Sequence, residues 1–249
     1  MTSPVFAADE LPVPLPGART GRDPARAIKR GPRQVPAEVV AATQRERLFD
    51  ALVHTVAEKG YASARVSDIC AAAGVTRPAF YALFAGKEDA FLATYRHGTG
   101  VLLRLMDQAY AEATDWRAGA RAALGVLLDV LASVPAFAAM AVVEIDAAGP
   151  LARAERTELL GRFAPFFAGA PQPGGALSDE LVGAVVGGLY STIYRYVSAG
   201  RVAELPSLLP MLSYFMMAPF LGRDAAESEF GVPVDPSAQV SAPCAEPRR

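Results

Sequence analysis

Apolar residues recur along most of this chain at the three- and four-residue spacing of helices, and strand-like alternation is scarce. The first stripe, Leu48, Phe49, Leu52, Val53 and Val56, predicts a helix from about Ala37 to Lys59. Lys59 suits the carbonyl end of that helix, and Gly60 is the expected residue just past it. Val66 and Ile69 mark the inward side of a short helix from Arg65 to Ala73. Another short helix runs from Arg77 to about Leu83. A longer one starts at Lys87 and continues through Phe91, Leu92, Tyr95, Leu102, Leu105 and Met106, loosened midway by Gly98 and Gly100.

The helical pattern then continues to about residue 221. Trp116 to Val134 reads as one helix, ended by Pro135; Phe137 to Ile145 is a shorter one, ended before Gly149-Pro150; Leu151 to about Phe167 follows. A Gly/Pro loop spans 168–176. Leu181 to Val197 is the most apolar helix, and about Val202 to Leu221 is the last. The pattern predicts an all-α fold, flanked by 1–35, rich in Pro, Gly and Ala, and by a flexible polar tail at 222–249.

The stretch RVSDICAAAGVTRPAFYALFAGKEDAFL, residues 65–92, organises the rest. Gly74 takes the positive φ that ends a helix, Val75 drops into the core, and Thr76 caps the next helix. Pro78 falls in the first turn, where a missing N–H costs nothing. Helix, Gly-containing turn and helix is the geometry that sets a second helix in the DNA major groove.

Gly60-Tyr61, Asp68-Ile69, Ala73-Gly74-Val75-Thr76, Phe80-Tyr81, Phe84 and Lys87-Glu88 together resemble the N-terminal domain of TetR/AcrR-type transcriptional regulators, over roughly 50 residues. The resemblance implies a three-helix helix-turn-helix DNA-binding domain at 36–97, joined by a long helix to a helical ligand-binding and dimerisation domain at 98–221. It places Thr76, Arg77, Pro78, Tyr81 and Ala82 toward DNA and Phe80 and Phe84 inward, and gives Lys87 a phosphate contact. Arg77 is the strong hydrogen-bonding base reader of this group, whereas Pro78 offers apolar contact only. The chain departs from the family at Arg65, where Thr is usual; Arg cannot cap the helix, with Ser63 an alternative, but it suits a phosphate. Cys70, usually Ala, reads as a packed side chain.

In the second domain, Met106, Trp116, Phe137, Met140, Phe163, Phe166, Phe167 and Tyr190 are candidates for an apolar effector pocket, with ordinary core packing as the plain alternative for each. Arg153, Arg156 and Arg162 suit either an acidic ligand or a solvated helix face. Gly183, Ala184, Gly187 and Gly188 fall on adjacent turns and permit close approach of another helix. In the family the last two helices form a dimeric four-helix bundle, which makes Gly183, Gly187, Tyr190, Tyr194, Leu208, Leu212 and Phe215 the expected homodimer interface.

Charge sharpens this division. The whole chain of 249 residues carries a net charge of −2, but residues 1–97 hold thirteen Lys/Arg against ten Asp/Glu, and the remainder eleven against sixteen. The basic excess lies with the motif. Arg19, Arg22, Arg26, Lys29, Arg30 and Arg33 load the second half of 1–35, read as a disordered basic arm that either tracks DNA phosphates or is merely solvated. At 52% apolar and 20% charged residues the composition is globular. Two distant cysteines, Cys70 and Cys244, and an opening stretch with Asp9, Glu10 and several prolines fit a reducing cytoplasm without signal peptide. Ser191, Thr192 and Arg195 interrupt the best membrane candidate.

An enzyme is the weaker alternative: there are two histidines, of which His54 has no ligand-spaced neighbour, and no phosphate-binding loop or nucleophile elbow. Glu144 and Asp146 point to different helical faces, which suits solvent better than paired acid–base chemistry. A non-DNA-binding oligomer on the same fold is the other, against which Thr76, Tyr81 and Lys87 argue. The expected partners are double-stranded DNA, a small-molecule effector and a second copy of the chain, with no membrane, no metal and no cofactor.

Overall fold

The computed structural model describes residues 14–23, 36–171 and 177–227. Arg26, Lys29, Arg30 and Arg33 of the expected arm, Cys244 and the tail from 228 onward lie outside them. Regular structure among the described residues is entirely helical. The head comprises α1 (Ala37–Lys59), α2 (Val66–Ala73) and α3 (Arg77–Leu83). The long α4 (Lys87–Ala111) leaves the head and runs alongside α5 (Trp116–Ser133). Asp115 begins α5 by accepting the Ala118 N–H at 3.0 Å, as an N-cap carboxylate does.

Three segments differ from the sequence pattern. The helix expected over Phe137 to Ile145 is a short α6 (Pro135–Ala138), a π-helical turn at Ala139–Val143 and a 3-10 turn at Glu144–Asp146. The helix expected over Leu151 to Phe167 ends early: α7 spans Pro150–Gly161, and a 3-10 turn at Ala164–Phe167 follows, with Pro165 in its first turn. The last helix is split likewise. A 3-10 segment at Val202–Leu208 contains Pro206, and α9 (Leu209–Leu221) starts with Pro210 near its N-terminus. Proline removes the N–H of an ongoing helix and disfavours helical geometry before it, so the second and third breaks fall near Pro165, Pro206 and Pro210, whereas the turns over 139–146 contain no proline. The helix α8 spans Leu177–Ser198, and α9, not α8, is the most apolar of the long helices.

Residues 14–23 are not an unstructured arm. Leu15 is fully buried in the core cluster, and the Gly17 N–H donates to the buried Asp50 carboxylate on α1 at 2.8 Å. Arg22 donates twice to the Ala71 carbonyl of α2, at 3.0 and 2.7 Å, and Arg47 of α1 donates to Gly21 O at 2.9 Å. The segment is a strap across α1 and α2. Nor does order end at 221: a short α10 (Arg223–Glu227) buries Ala226 and carries an Arg223–Glu227 ion pair.

Gly98 does not loosen α4. A Cβ there would lie 2.2 Å from Cε2 of Phe137, so the glycine is the notch that seats the Phe137 ring against the α4 backbone. Phe137 is fully buried, and this contact joins α4 to the irregular α6 segment.

Candidate nucleic-acid interface and effector chamber

The turn between α2 and α3 is built as its residues dictate. Gly74 has φ +61°, the Val75 N–H reaches back to Cys70 O at 3.0 Å, and Val75 is buried. Thr76 Oγ1 accepts the Ala79 N–H at 3.3 Å, and Pro78 occupies the first turn of α3. Phe80 and Phe84 are buried, and Phe84 sits 6.1 Å from the Phe49 ring of α1. With that face anchored, α3 presents Thr76, Arg77, Pro78 and Ala82 exposed, and Tyr81 at 52% exposure. Arg65 is exposed at the start of α2. Its helix is capped neither by Arg65 nor by Ser63: the Asp68 carboxylate accepts the Arg65 N–H at 3.2 Å and pairs with Lys59 at 3.3 Å. Those contacts hold the Asp68 carboxyl below its ordinary range, the Arg65 backbone N–H first among them.

Lys87 differs from the other interface candidates. Its ammonium donates to Tyr61 O at 2.7 Å and Ala64 O at 3.0 Å, and lies 4.1 Å from the Tyr61 ring centroid. Two of its three donors therefore close the α1–α2 loop, and partial burial pulls its pKa down. The Tyr61 N–H in turn donates to Glu144 Oε2 at 2.7 Å. Glu144 is thus not a solvated carboxylate but the bridge from the α6 segment to the head. Sequence spacing gives no sign of it, because the partner lies 83 residues away.

The second domain encloses an apolar chamber with free space of ≈ 90 Å³. Met106, Phe137, Phe163, Phe166, Phe167 and Tyr190 line it. Trp116 and Met140 do not. The Trp116 indole N–H donates to Phe166 O at 2.9 Å and its ring meets Phe220 edge-on, so it braces the wall from behind. Met140 is fully buried in the core; the π-helical turn shifts the helical register, and Ala141 and Val142 line the chamber in its place. Sequence reading missed Tyr95 and Thr99 of α4 and Leu159 of α7, which border both the chamber and a polar recess of ≈ 390 Å³. The interior stripe of α4 had marked Tyr95 as core; the recess becomes visible only when α7 packs alongside. A second recess of the same size shares Leu160, Phe167 and Val186 with the chamber and opens beside Gly183 and Gly187.

Arg156 pairs with Asp146 and lies 5.5 Å from the Tyr190 ring centroid, while Arg153 donates to Asp146 O at 3.1 Å; both arginines pin the α7 start to the α6 segment. The expected dimer residues divide. Gly183, Gly187, Tyr194 and Phe215 are exposed, with Met211 beside them on α9. Leu208 and Leu212 are buried, because the 3-10 segment and α9 turn them into the protomer's own core. Tyr190 is half-buried, its hydroxyl donated to Val142 O at 2.9 Å.

Among the described residues no group of His, Cys, Asp or Glu is placed to hold a metal ion, and no single helix is long and apolar enough to cross a membrane. His54 meets Arg19 O of the strap at 3.1 Å.

Residues 48–94 match the family model described as bacterial regulatory proteins, tetR family. No curated protein matches the chain. Among solved structures, the chain is similar to the transcriptional regulator FadR from Bacillus subtilis, solved in complex with stearoyl-CoA, at 20% identity and a TM-score of 0.62 over 69% of this chain and 96% of that one. It is similar to the fatty acid degradation regulator FadR from Bacillus halodurans at 22% identity and a TM-score of 0.62, over 68% and 96%. A TetR-like transcriptional regulator from Rhodococcus sp. RHA1 follows at 19% identity and a TM-score of 0.53, over 73% and 97%. The head, over residues 48–94, thus matches the tetR family of bacterial regulatory proteins, and the helical fold of the described residues is shared with these regulators.

Proposed function

We propose that this protein is a ligand-responsive repressor that binds a pseudo-palindromic operator as a homodimer and is released by a hydrophobic small molecule. The observation that carries the reading is the face of α3: Arg77, Pro78 and Tyr81 stand exposed on a helix whose other face is locked by Phe80. Arg77 pairs with a guanine edge, and Tyr81, Arg65 and the remaining Lys87 donor meet phosphates. Two such heads, set one helical turn of DNA apart by a dimer, read two half-sites. The exposed apolar residues Tyr194, Met211 and Phe215, at 37%, 38% and 41% exposure beside Gly183 and Gly187, supply the surface for that dimer. The protein acts where the DNA is, in the cytoplasm, without chemistry on its ligand.

The chamber supports the effector half of the reading. Its lining is aliphatic and aromatic, and the B. subtilis FadR of similar fold was solved with stearoyl-CoA, which points to a long-chain acyl compound. Free space of ≈ 90 Å³ is less than such a chain occupies, so its walls part on binding. One wall is Phe137, seated on the α4 backbone at Gly98, so binding and the attitude of α4 are coupled. A ligand shifts the balance only by its preference for one state, and typical couplings are about 1–3 kcal/mol.

The test is binding of the purified protein to fragments of its own promoter region, at two salt concentrations against random competitor DNA, followed by addition of stearoyl-CoA. A discrete, competitor-resistant complex that the ligand dissolves, and that Arg77→Ala and Tyr81→Ala abolish with the oligomer intact, is the expected result. Binding that is steeply salt-dependent and equal on random DNA would refute operator recognition.

A further inference from the structure

The chamber has few polar groups, and all but one are engaged. Thr99 donates its hydroxyl to Tyr95 O at 2.8 Å, and Tyr190 donates to Val142 O. Tyr95 is the exception: the residue is 1% exposed, and its hydroxyl has no hydrogen-bond partner among the described residues. Buried hydroxyls without partners are rare in folded proteins, because water has been given up for nothing. Tyr95 lines both the apolar chamber and the polar recess. Burial pushes the phenol well above its ordinary range, so it stays protonated and acts as a donor.

The charges around it narrow what it can meet. Arg96 is paired with Glu155, and Arg156 with Asp146. The recess itself is bordered by Arg96 and Arg162 against Glu155 and Glu158, an even balance. A carboxylate brought to Tyr95 loses its water beside Arg96 and Arg156, which already hold carboxylates, and meets Glu155 and Glu158 at the same recess, where Arg162 is solvent-exposed. An uncharged carbonyl brings one acceptor, gains one donor, and leaves those pairs in place.

We propose that the Tyr95 hydroxyl is the polar anchor of the effector site, donating to the uncharged carbonyl oxygen of an acyl ester, thioester or amide. The hydrocarbon chain then fills the chamber, and the head group leaves through the recess past Thr99 and Leu159. This deepens the effector reading given above and rests on it.

The experiment compares the full-length wild type with Tyr95→Phe by calorimetric titration with stearoyl-CoA, S-octadecyl-CoA, methyl stearate and stearate. S-octadecyl-CoA keeps the chain and the head but lacks the carbonyl oxygen. The expected result is a loss of about tenfold in stearoyl-CoA affinity in Tyr95→Phe, with S-octadecyl-CoA affinity unchanged. Stearate binds the wild type more weakly than methyl stearate. The ligand-free variant melts no lower than the wild type, since the hydroxyl it lacks had no partner. Equal affinities of both proteins for stearoyl-CoA, or an equal loss for both CoA compounds, would overturn the anchor and leave the effector site standing. Stearate binding as tightly as its methyl ester would overturn the preference for an uncharged carbonyl. Failure of the wild type to bind any of the four removes the acyl-effector reading, and the anchor with it.

Discussion

Glu144 accepts the backbone N–H of Tyr61 at 2.7 Å, and Tyr61 O accepts the Lys87 ammonium at the same distance. The carboxylate follows directly on the π-helical turn whose Ala141 and Val142 line the chamber, while Lys87 starts the helix that carries the head's last contacts. The chamber wall and the DNA-binding head are thus one hydrogen bond apart. Glu144→Ala leaves the Tyr61 N–H without its charged acceptor, and a loss of about 1–2 kcal/mol in unfolding free energy is expected. It should also reduce the effector's leverage on DNA affinity. Denaturant titration checks the first, and operator titration with and without ligand the second. A variant with wild-type coupling would show that the signal passes only through α4.

Truncation of residues 1–23 should destabilise the head, although composition reads the segment as dispensable. It removes the buried Leu15, the Gly17 hydrogen bond to Asp50 and the Arg22 bonds that satisfy Ala71 O. Leu15→Ala alone should cost about 2–5 kcal/mol in denaturant unfolding, as a core truncation does. Gly17→Ala is unfavourable for a different reason: φ is +87°, and the new Cβ would fall 2.4 Å from Val53 Cγ1.

Two glycine-to-alanine changes should separate folding from assembly. Gly98→Ala drives a methyl into the Phe137 ring at 2.2 Å, and overpacking of this kind costs roughly 1–3 kcal/mol. Among the described residues, Gly183 has no atom of its own protomer within 4 Å of its would-be Cβ. Gly183→Ala should therefore leave the protomer's melting unharmed and lower dimer stability alone, read by light scattering over a dilution series. A dimer unaffected by Gly183→Leu would move the interface off this face.

His97 makes the head's stability depend on pH. It lies 5.2 Å from the Phe49 ring, and burial pulls its pKa below the ordinary 6.5, with Arg104 adding to the shift and Glu46 and Asp50 opposing it. Below 6.5 the unfolded chain takes up a proton that the folded one resists, so the unfolded state binds more protons and stability falls as pH drops from there toward the folded pKa. Melting temperatures measured from pH 7.5 to 5.5 should decline, and His97→Phe should flatten part of that decline.

The helix-turn-helix was legible because its determinants are local. A glycine at positive φ, a capping threonine, a proline in the first turn and a phenylalanine pair at helical spacing each act within four residues, and the structure realises them where the pattern puts them. The same holds for α1, α4 and α5, whose ends follow Gly60, Lys87 and Pro135. By itself, then, the sequence determined an all-helical chain with an exposed α3 face and a largely apolar second domain.

Contacts between distant segments decided the rest. Composition could not distinguish the strap from a free arm, since Leu15 is buried only once α1 and α2 stand side by side. Gly98 read as a weak point and serves as a socket, because only packing brings Phe137 to it. Met140 and Trp116 left the chamber wall when one π-helical turn and one indole hydrogen bond set the register, and Leu208 and Leu212 turned inward where prolines broke the final helix. Tyr95 lies on an ordinary interior stripe, and nothing along the chain distinguishes its hydroxyl from a satisfied one. Whether a buried polar atom finds a partner depends on every helix packed around it, and that is a property of the tertiary structure alone.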